Sequence, residues 1–210
     1  MPSQTFALEP NGPKRLTLSW SAFWKNFTVS LDGKQIGALT PDELKAGKDV
    51  PLPDGSTLYV HLRRGFGNTG LELSRNGQPL PGAANDPASM VKNAAYLLYF
   101  LAALNALLGA AAVAFNVEVL QVNGVGLFSI ALGFVFAVCG FFTMQRSLAA
   151  LITAIALYGL DAIATLFSAV TAGGQPGAGG IIMRVFFIIV LARGVTGLRA
   201  LKAQAKSPAA

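Results

Sequence analysis

The pattern of hydrophobic and polar positions changes once along the chain, at Asn85-Asp86-Pro87. Before this point, short alternating stretches are separated by Gly, Pro, Asn and Asp, and after it long apolar runs hold few charges. Alternation with a period of two is typical of half-buried β-strands, whereas roughly 20 apolar residues suffice for one membrane-spanning helix. The pattern therefore predicts a small β domain over residues 1–86 and a helical membrane domain over residues 91–201.

The β domain is predicted from alternating runs and from the turns between them. Phe27–Leu31 and Thr57–Arg63 alternate, and the pairs Asp32-Gly33 and Asn76-Gly77 follow such runs. These pairs favour tight hairpins, because both positions tolerate positive φ. We expect roughly five to seven strands around one core, in a compact antiparallel β-sandwich or roll. Three bulky side chains are expected to fill that core: Trp20, Phe23 and Trp24.

One short helix is predicted inside the β domain. Thr40 is a typical N-cap, Pro41 suits the first helical position, and acidic residues follow in the first turn. Gly47 is expected to end the helix.

Four spans are predicted in the membrane domain, at about residues 91–115, 122–144, 148–170 and 181–201. A short linker over residues 87–92 precedes them and a basic tail over residues 202–210 follows them. The connections are short, so consecutive helices are expected to be antiparallel neighbours.

The basic residues predict the orientation. Lys92, Arg146, Arg199, Lys202 and Lys206 all fall on one side of the predicted spans, and the loops on the other side contain no Lys or Arg. Cytoplasmic loops carry an excess of such residues. We therefore expect a multi-pass protein of the plasma (inner) membrane with both termini and the β domain in the cytoplasm.

Net charge changes little about this picture. The chain has 16 Lys and Arg against 10 Asp and Glu, but residues 1–92 hold ten basic and eight acidic residues, a net charge of +2. Nucleic-acid binding requires a basic stripe on a soluble face, so it is disfavoured. Five basic side chains could contact anionic lipid headgroups, or simply be solvated: Arg63, Arg64, Lys92, Arg199 and Lys202.

Charged residues inside the predicted spans are the first candidates for a functional site. Asp161 lies in the third span, with Arg184 and Arg193 in the fourth, and either arginine could be its partner. Helical spacing places Tyr158, Asp161, Thr165 and Ser168 on one face. This cluster could be a proton or ion site, or a polar ligand cleft. We favour a structural contact that fixes the helices in register, because inverted repeats and broken helices are not found.

Other motifs give no catalytic or cofactor site. The stretch Gly65–Gly70 matches G-x-G-x-x-G, but an alternating run follows it, so a hairpin loop is predicted and not a dinucleotide site. The glycine-rich stretch Gly173–Gly180 lacks the Lys-Ser/Thr pair of a phosphate loop and is interpreted as a turn between helices. His61 and Cys139 are the only residues of their types, and we expect no metal, no cofactor and no enzymatic activity.

Several segments carry a resemblance to a group of proteins. FTVSLDGKQIG, LPDGSTLYVHL, LELSRNGQPLPG and NDP, together with SLAALITAIALYGLDAIATLF and IIMRVFFIIVLARG, resemble uncharacterised prokaryotic membrane proteins of a cyanobacterial type. The resemblance implies a small N-terminal β module ahead of several spans, and implies no activity.

Two functions follow as hypotheses. The first is a non-enzymatic membrane-anchored β module for protein interaction or scaffolding, with the lipid bilayer, a protein or a second copy of the chain as partner. The alternative is a small transporter, channel or ion-coupled membrane component that uses Asp161 and its polar stripe.

Overall fold

The computed structural model describes residues 1–65, 68–116, 126–171 and 178–206. The chain divides into two compact units, Met1–Ser89 and Met90–Ala210. The first contains two antiparallel sheets of four strands each, and the second contains long apolar helices. This arrangement confirms the predicted fold class of a β module followed by a helical bundle.

The first sheet consists of β1 (Ser3–Ala7), β2 (Lys14–Ser19), β3 (Phe27–Leu31) and β4 (Lys34–Leu39), in that order. All its neighbouring strands are antiparallel. Asp32 and Gly33 connect β3 to β4 with φ of +50° and +79°, as a two-residue hairpin requires. The predicted hairpin is therefore confirmed.

The second sheet consists of β5 (Lys48–Pro51), β6 (Thr57–Gly65), β7 (Asn68–Arg75) and β8 (Gln78–Pro79), in that order. Its neighbouring strands are also antiparallel. The described residues thus form eight strands, more than the five to seven expected. The expected number was too low because strands as short as β5 and β8 show no readable alternation.

The two sheets share one hydrophobic core. In β6, the side chains of Leu58, Val60 and Leu62 are buried, with exposed fractions of 0%, 0% and 3%. The alternation in the sequence predicted this. Side chains from both sheets join the same buried cluster, which is the arrangement of a β-sandwich. Its members include Leu16, Leu18, Phe27, Val29, Leu39, Leu58, Val60, Leu71, Leu73 and Leu80.

The expectation that Phe23 belongs to this core is wrong. Trp20 and Trp24 pack against the core, but the Phe23 side chain is 86% exposed. The cause is the local backbone, since Phe23 lies in the short 3-10 turn Ala22–Trp24 with φ of +58°. Three aromatic residues within five positions of the sequence do not reveal this reversal.

Helix α1 (Pro41–Ala46) begins with the predicted cap at Thr40. The Thr40 side chain accepts a hydrogen bond from the Glu43 amide, and the Thr40 amide donates to the Glu43 carboxylate at 2.9 Å. This reciprocal pair is a capping box. Gly47 follows the helix with φ of +82°.

We expect the stability of the β module to fall at acid pH through Glu43. The Lys48 ammonium and the Thr40 amide lower the pKa of Glu43 from 4.5 to about 2. Because the pKa of Glu43 is lower in the folded state than in the unfolded state, the ionised carboxylate stabilises the fold above pH 4.5. This contribution is lost as the pH falls toward about 2. The intrinsic fluorescence of the chain's two tryptophans, which both lie in the module, follows module unfolding in the full-length protein. Glu43→Gln should reduce the loss of stability over this pH interval, and an unchanged pH dependence would contradict the assignment.

Gly47→Ala is expected to destabilise the β module. A Cβ at Gly47 would overlap the Tyr59 hydroxyl group, so the partly exposed Tyr59 side chain would have to move, and φ at Gly47 is +82°. Gly55 is the matched control, because its φ is also +82° but a Cβ there would meet nothing within 4 Å. Gly55→Ala should cost about 1 kcal/mol for the left-handed backbone alone. Tryptophan fluorescence during denaturation should show a larger loss of stability for Gly47→Ala than for Gly55→Ala, and equal losses would argue against the steric contact.

The second unit contains four helices, among the described residues, that are long and apolar enough to cross a membrane. We number them α2 (Pro87–Ala114), α3 (Leu127–Met144), α4 (Leu148–Thr171) and α5 (Ala178–Lys206). Their number agrees with the prediction. Residues 122–125, where the second span was expected to start, lie outside the described residues.

Two predicted boundaries are wrong because helices continue through them. Residues 87–92 are not a linker: α2 begins at Pro87, and the Asp86 carboxylate accepts hydrogen bonds from the amides of Ala88 and Ser89. Asp86 thus acts as an N-cap, with proline in the first helical position. Residues 202–206, predicted as part of a tail, belong to α5.

Small residues allow the long helices to approach closely. A Cβ on Gly133 in α3 would lie 2.8 Å from the Ala102 carbonyl oxygen in α2. A Cβ on Gly194 in α5 would lie 2.5 Å from the Ala94 Cβ. Glycine contacts of this kind are typical of membrane bundles. Around them, Leu98, Phe136, Leu151, Leu191 and Leu198 form the buried centre of the unit.

Candidate functional site

An ion pair between α4 and α5 is the centre of the candidate site. Arg184 Nη1 donates to Asp161 Oδ2 at 3.2 Å. Arg184 Nη2 donates to Thr165 Oγ1 at 3.1 Å, and the Thr165 hydroxyl donates to the Asp161 carbonyl oxygen at 2.8 Å. The three side chains therefore form a closed hydrogen-bonded group across the two helices.

The structure pairs Asp161 with Arg184, one of the two arginines that the sequence left open. Arg193 follows Arg184 by nine residues, which places it on the opposite face of α5. Ser168, the last residue of the predicted stripe, lies outside the residues whose side chains are described.

Tyr158 extends the group into the centre of the bundle. It lies one helical turn before Asp161 and is only 6% exposed. Its ring meets Phe136 edge to face at a centroid distance of 6.1 Å and lies 6.3 Å from Phe187. The stripe therefore passes from a buried tyrosine to an ion pair whose side chains are 34% exposed for Asp161 and 28% exposed for Arg184.

The charges of this group are balanced. One carboxylate and one guanidinium face each other, and Nη2 of Arg184 also donates to the Thr165 hydroxyl oxygen. Breaking such a pair in a low-dielectric medium leaves an uncompensated charge, which is costly. The arrangement can hold α4 and α5 in register, and a cation bound at Asp161 Oδ2 would compete with Arg184.

The basic side chains predicted to contact lipid are distributed over both units. Arg63 Nη1 donates to Glu72 Oε1 at 2.9 Å, whereas Arg64 is exposed at the end of β6. The Lys92 ammonium lies 5.6 Å from the centroid of the Tyr96 ring. Arg199 and Lys202 are exposed near the end of α5.

Sequence reasoning missed the partner of His61. His61 Nδ1 lies 3.2 Å from Glu72 Oε2, and Arg63 binds the other oxygen. Burial raises the pKa of Glu72, but these two contacts outweigh burial and hold the pKa below its usual value. The strand register would have revealed this pair. Gly65 faces Asn68 across the hairpin, so the residues four positions further along each strand, His61 and Glu72, also face each other.

The remaining motifs carry no assembled site in the described part of the chain. The β6–β7 pairing continues to Gly65 and Asn68, so no helix follows the G-x-G-x-x-G stretch and its interpretation as a hairpin is confirmed. Phe66 and Gly67 lie outside the described residues, as does most of the stretch Gly173–Gly180. Cys139 is buried. The described residues contain no group of three or more His, Cys, Asp or Glu placed to hold a metal ion.

No family model, no curated protein and no solved structure matches this chain. The resemblance to cyanobacterial-type membrane proteins therefore stays a prediction.

Proposed function

We propose that this chain is a non-enzymatic multi-pass protein of the inner membrane that displays its β module in the cytoplasm for protein interaction or scaffolding. The observation that carries the proposal is that the chain contains a β module and a helical unit, each with its own hydrophobic core. Such a chain needs no catalytic site to hold a folded surface at a membrane.

The cytoplasmic orientation is supported by the ends of the helices. Basic residues lie near the start of α2, between α3 and α4, and near the end of α5: Lys92, Arg146, Arg199 and Lys202. If consecutive helices cross the membrane in opposite directions, these three positions are on the same side, which is the cytoplasmic side by the positive-inside rule. The loop after α2 contains no Lys or Arg.

Labelling of single cysteines tests this orientation. In a Cys139→Ala background, Lys34→Cys reports the module and Asn116→Cys reports the loop after α2. A membrane-impermeant maleimide should modify the cysteine at position 116 in intact cells, and the cysteine at position 34 only after the membrane is opened. Modification at position 34 in intact cells would overturn the orientation.

The interaction role is tested by isolation of the full-length protein in mild detergent, with covalent cross-linking beforehand. A defined partner, or a second copy, cross-linked through module residues would support the proposal. Recovery of the uncross-linked monomer alone would contradict it.

A small transporter, channel or ion-coupled component is the second candidate, and one observation favours it. Asp161 and Arg184 are each about one-third exposed, so the pair is not sealed within the bundle. In reconstituted liposomes, an ion flux that Asp161→Asn abolishes would support this function, and the absence of a flux through the unmodified protein would reject it.

A further inference from the structure

Two exposed apolar side chains lie at the same end of the β module. Met1 and Phe23 are 85% and 86% exposed, more than any other large apolar residue described in the module. They share this end because β1 pairs with β2 from Ser3 to Ser19, and the Trp20 amide donates to the Pro2 carbonyl oxygen at 3.1 Å. We call this end of the module, marked by Met1 and Phe23, its tip.

The loop that carries Phe23 is held in one conformation by hydrogen bonds and ring stacking. Phe23 and Trp24 have φ of +58° and +63°, which bulky residues rarely adopt. The Ser21 amide and hydroxyl both donate to the Lys25 carbonyl oxygen, at 2.7 and 2.8 Å. The Trp24 ring stacks on Trp20 at a centroid distance of 4.7 Å. The strained backbone thus turns Trp24 onto the module and leaves Phe23 projecting, and strain of this kind is concentrated at functional positions.

Basic residues lie at the same end of the module. Arg75 at the end of β7 binds Glu9 in the β1–β2 connection, so these ends of the two sheets coincide. The β2–β3 loop and the end of β6 lie at the other ends of these sheets, away from Glu9 and Arg75. Exposed Lys25 in the loop and exposed Arg64 in β6 therefore lie toward the tip.

We propose that the tip of the module binds a lipid bilayer, with Phe23 inserted at the boundary between headgroups and acyl chains and with Lys25 and Arg64 at anionic headgroups. Apolar side chains flanked by basic residues bind this boundary, and binding increases with anionic lipid. The proposal rests on the membrane insertion of the helices. It does not depend on the side of the membrane or on a protein partner.

A lipid surface fits this tip better than a protein does. A stable protein interface buries about 800 Å² on each partner, whereas the tip offers only two large exposed apolar side chains. Contact with lipid needs little affinity of its own, because the apolar helices of the same chain keep the bilayer at a high effective concentration.

Fluorescence quenching in the full-length protein tests the proposal. A nitrobenzoxadiazole probe is placed on Ala22→Cys in a Cys139→Ala background, which leaves Phe23 intact. The protein is reconstituted into vesicles of phosphatidylcholine and phosphatidylglycerol, with brominated phosphatidylcholine as the quencher. The control probe is on Lys34→Cys, the first residue of β4 at the opposite end of the module. A third probe on Phe134→Cys, an exposed site in α3, reports insertion of the helices.

The probe at position 22 should be quenched several-fold more than the probe at position 34. Phe23→Ser should remove most of that difference, and Lys25→Gln with Arg64→Gln should reduce it in vesicles that contain phosphatidylglycerol. Equal quenching at positions 22 and 34, or quenching at 22 that Phe23→Ser leaves unchanged, would overturn the proposal. If position 134 is quenched in that case, the helices are inserted and only the tip contact fails; if it is not, membrane insertion itself fails.

Discussion

Asp161→Asn is expected to destabilise the helical unit by about 2 to 3 kcal/mol, because it leaves the Arg184 guanidinium without a counter-charge in a membrane-embedded helix. Asparagine keeps the size and a hydrogen-bond acceptor, so the change isolates the charge. The guanidinium would retain its bond to Thr165, which limits the loss.

A double-mutant cycle measures the contact itself. Arg184→Gln should also destabilise the unit, and the double variant should recover part of the combined loss, with a coupling energy of at least about 0.5 kcal/mol. The same cycle with Arg193→Gln is the control and should be additive. Stability can be followed in detergent by the rate at which sodium dodecyl sulfate exposes the buried Cys139 thiol to a maleimide. Additive losses for Asp161 and Arg184 would show that the pair does not hold the helices together.

The cycle also separates the two candidate functions. A residue that only fixes register should affect stability, and its loss should be compensated by removing its partner. An ion-binding carboxylate should affect flux, and Arg184→Gln should not restore the flux that Asp161→Asn removes.

Local signals predicted much of the fold. Asp32-Gly33, the cap at Thr40 and the alternation of Leu58, Val60 and Leu62 each depend on a few neighbouring residues, and each has the expected structure. The apolar runs predicted the helices for the same reason, since length and composition decide whether a segment can span a bilayer.

The errors arose where a side chain's partner, and not its hydropathy, decides the structure. Asp86 and Pro87 are a helix-start signal, but the prediction followed hydropathy and placed the start later. Phe23 is apolar, yet the loop hydrogen bonds to the Lys25 carbonyl turn it outward. The sequence left two arginines open as partners of Asp161, because the rotation and stagger of two helices relative to each other cannot be read from a single sequence. The structure selects Arg184.

Gly133→Ala is expected to destabilise the helical unit by about 1 to 3 kcal/mol through overpacking. The added Cβ would lie 2.8 Å from the Ala102 carbonyl oxygen and 3.1 Å from the Ala106 amide nitrogen. These are backbone atoms, so α2 and α3 would have to separate. Gly159 in α4 is the matched control, because a Cβ there would meet nothing within 4 Å. Gly159→Ala should be neutral, or stabilising by up to about 1 kcal/mol through helix propensity. Exposure of Cys139 to a maleimide reports both variants, and a Gly133→Ala protein as stable as Gly159→Ala would show that α2 and α3 do not pack at this distance.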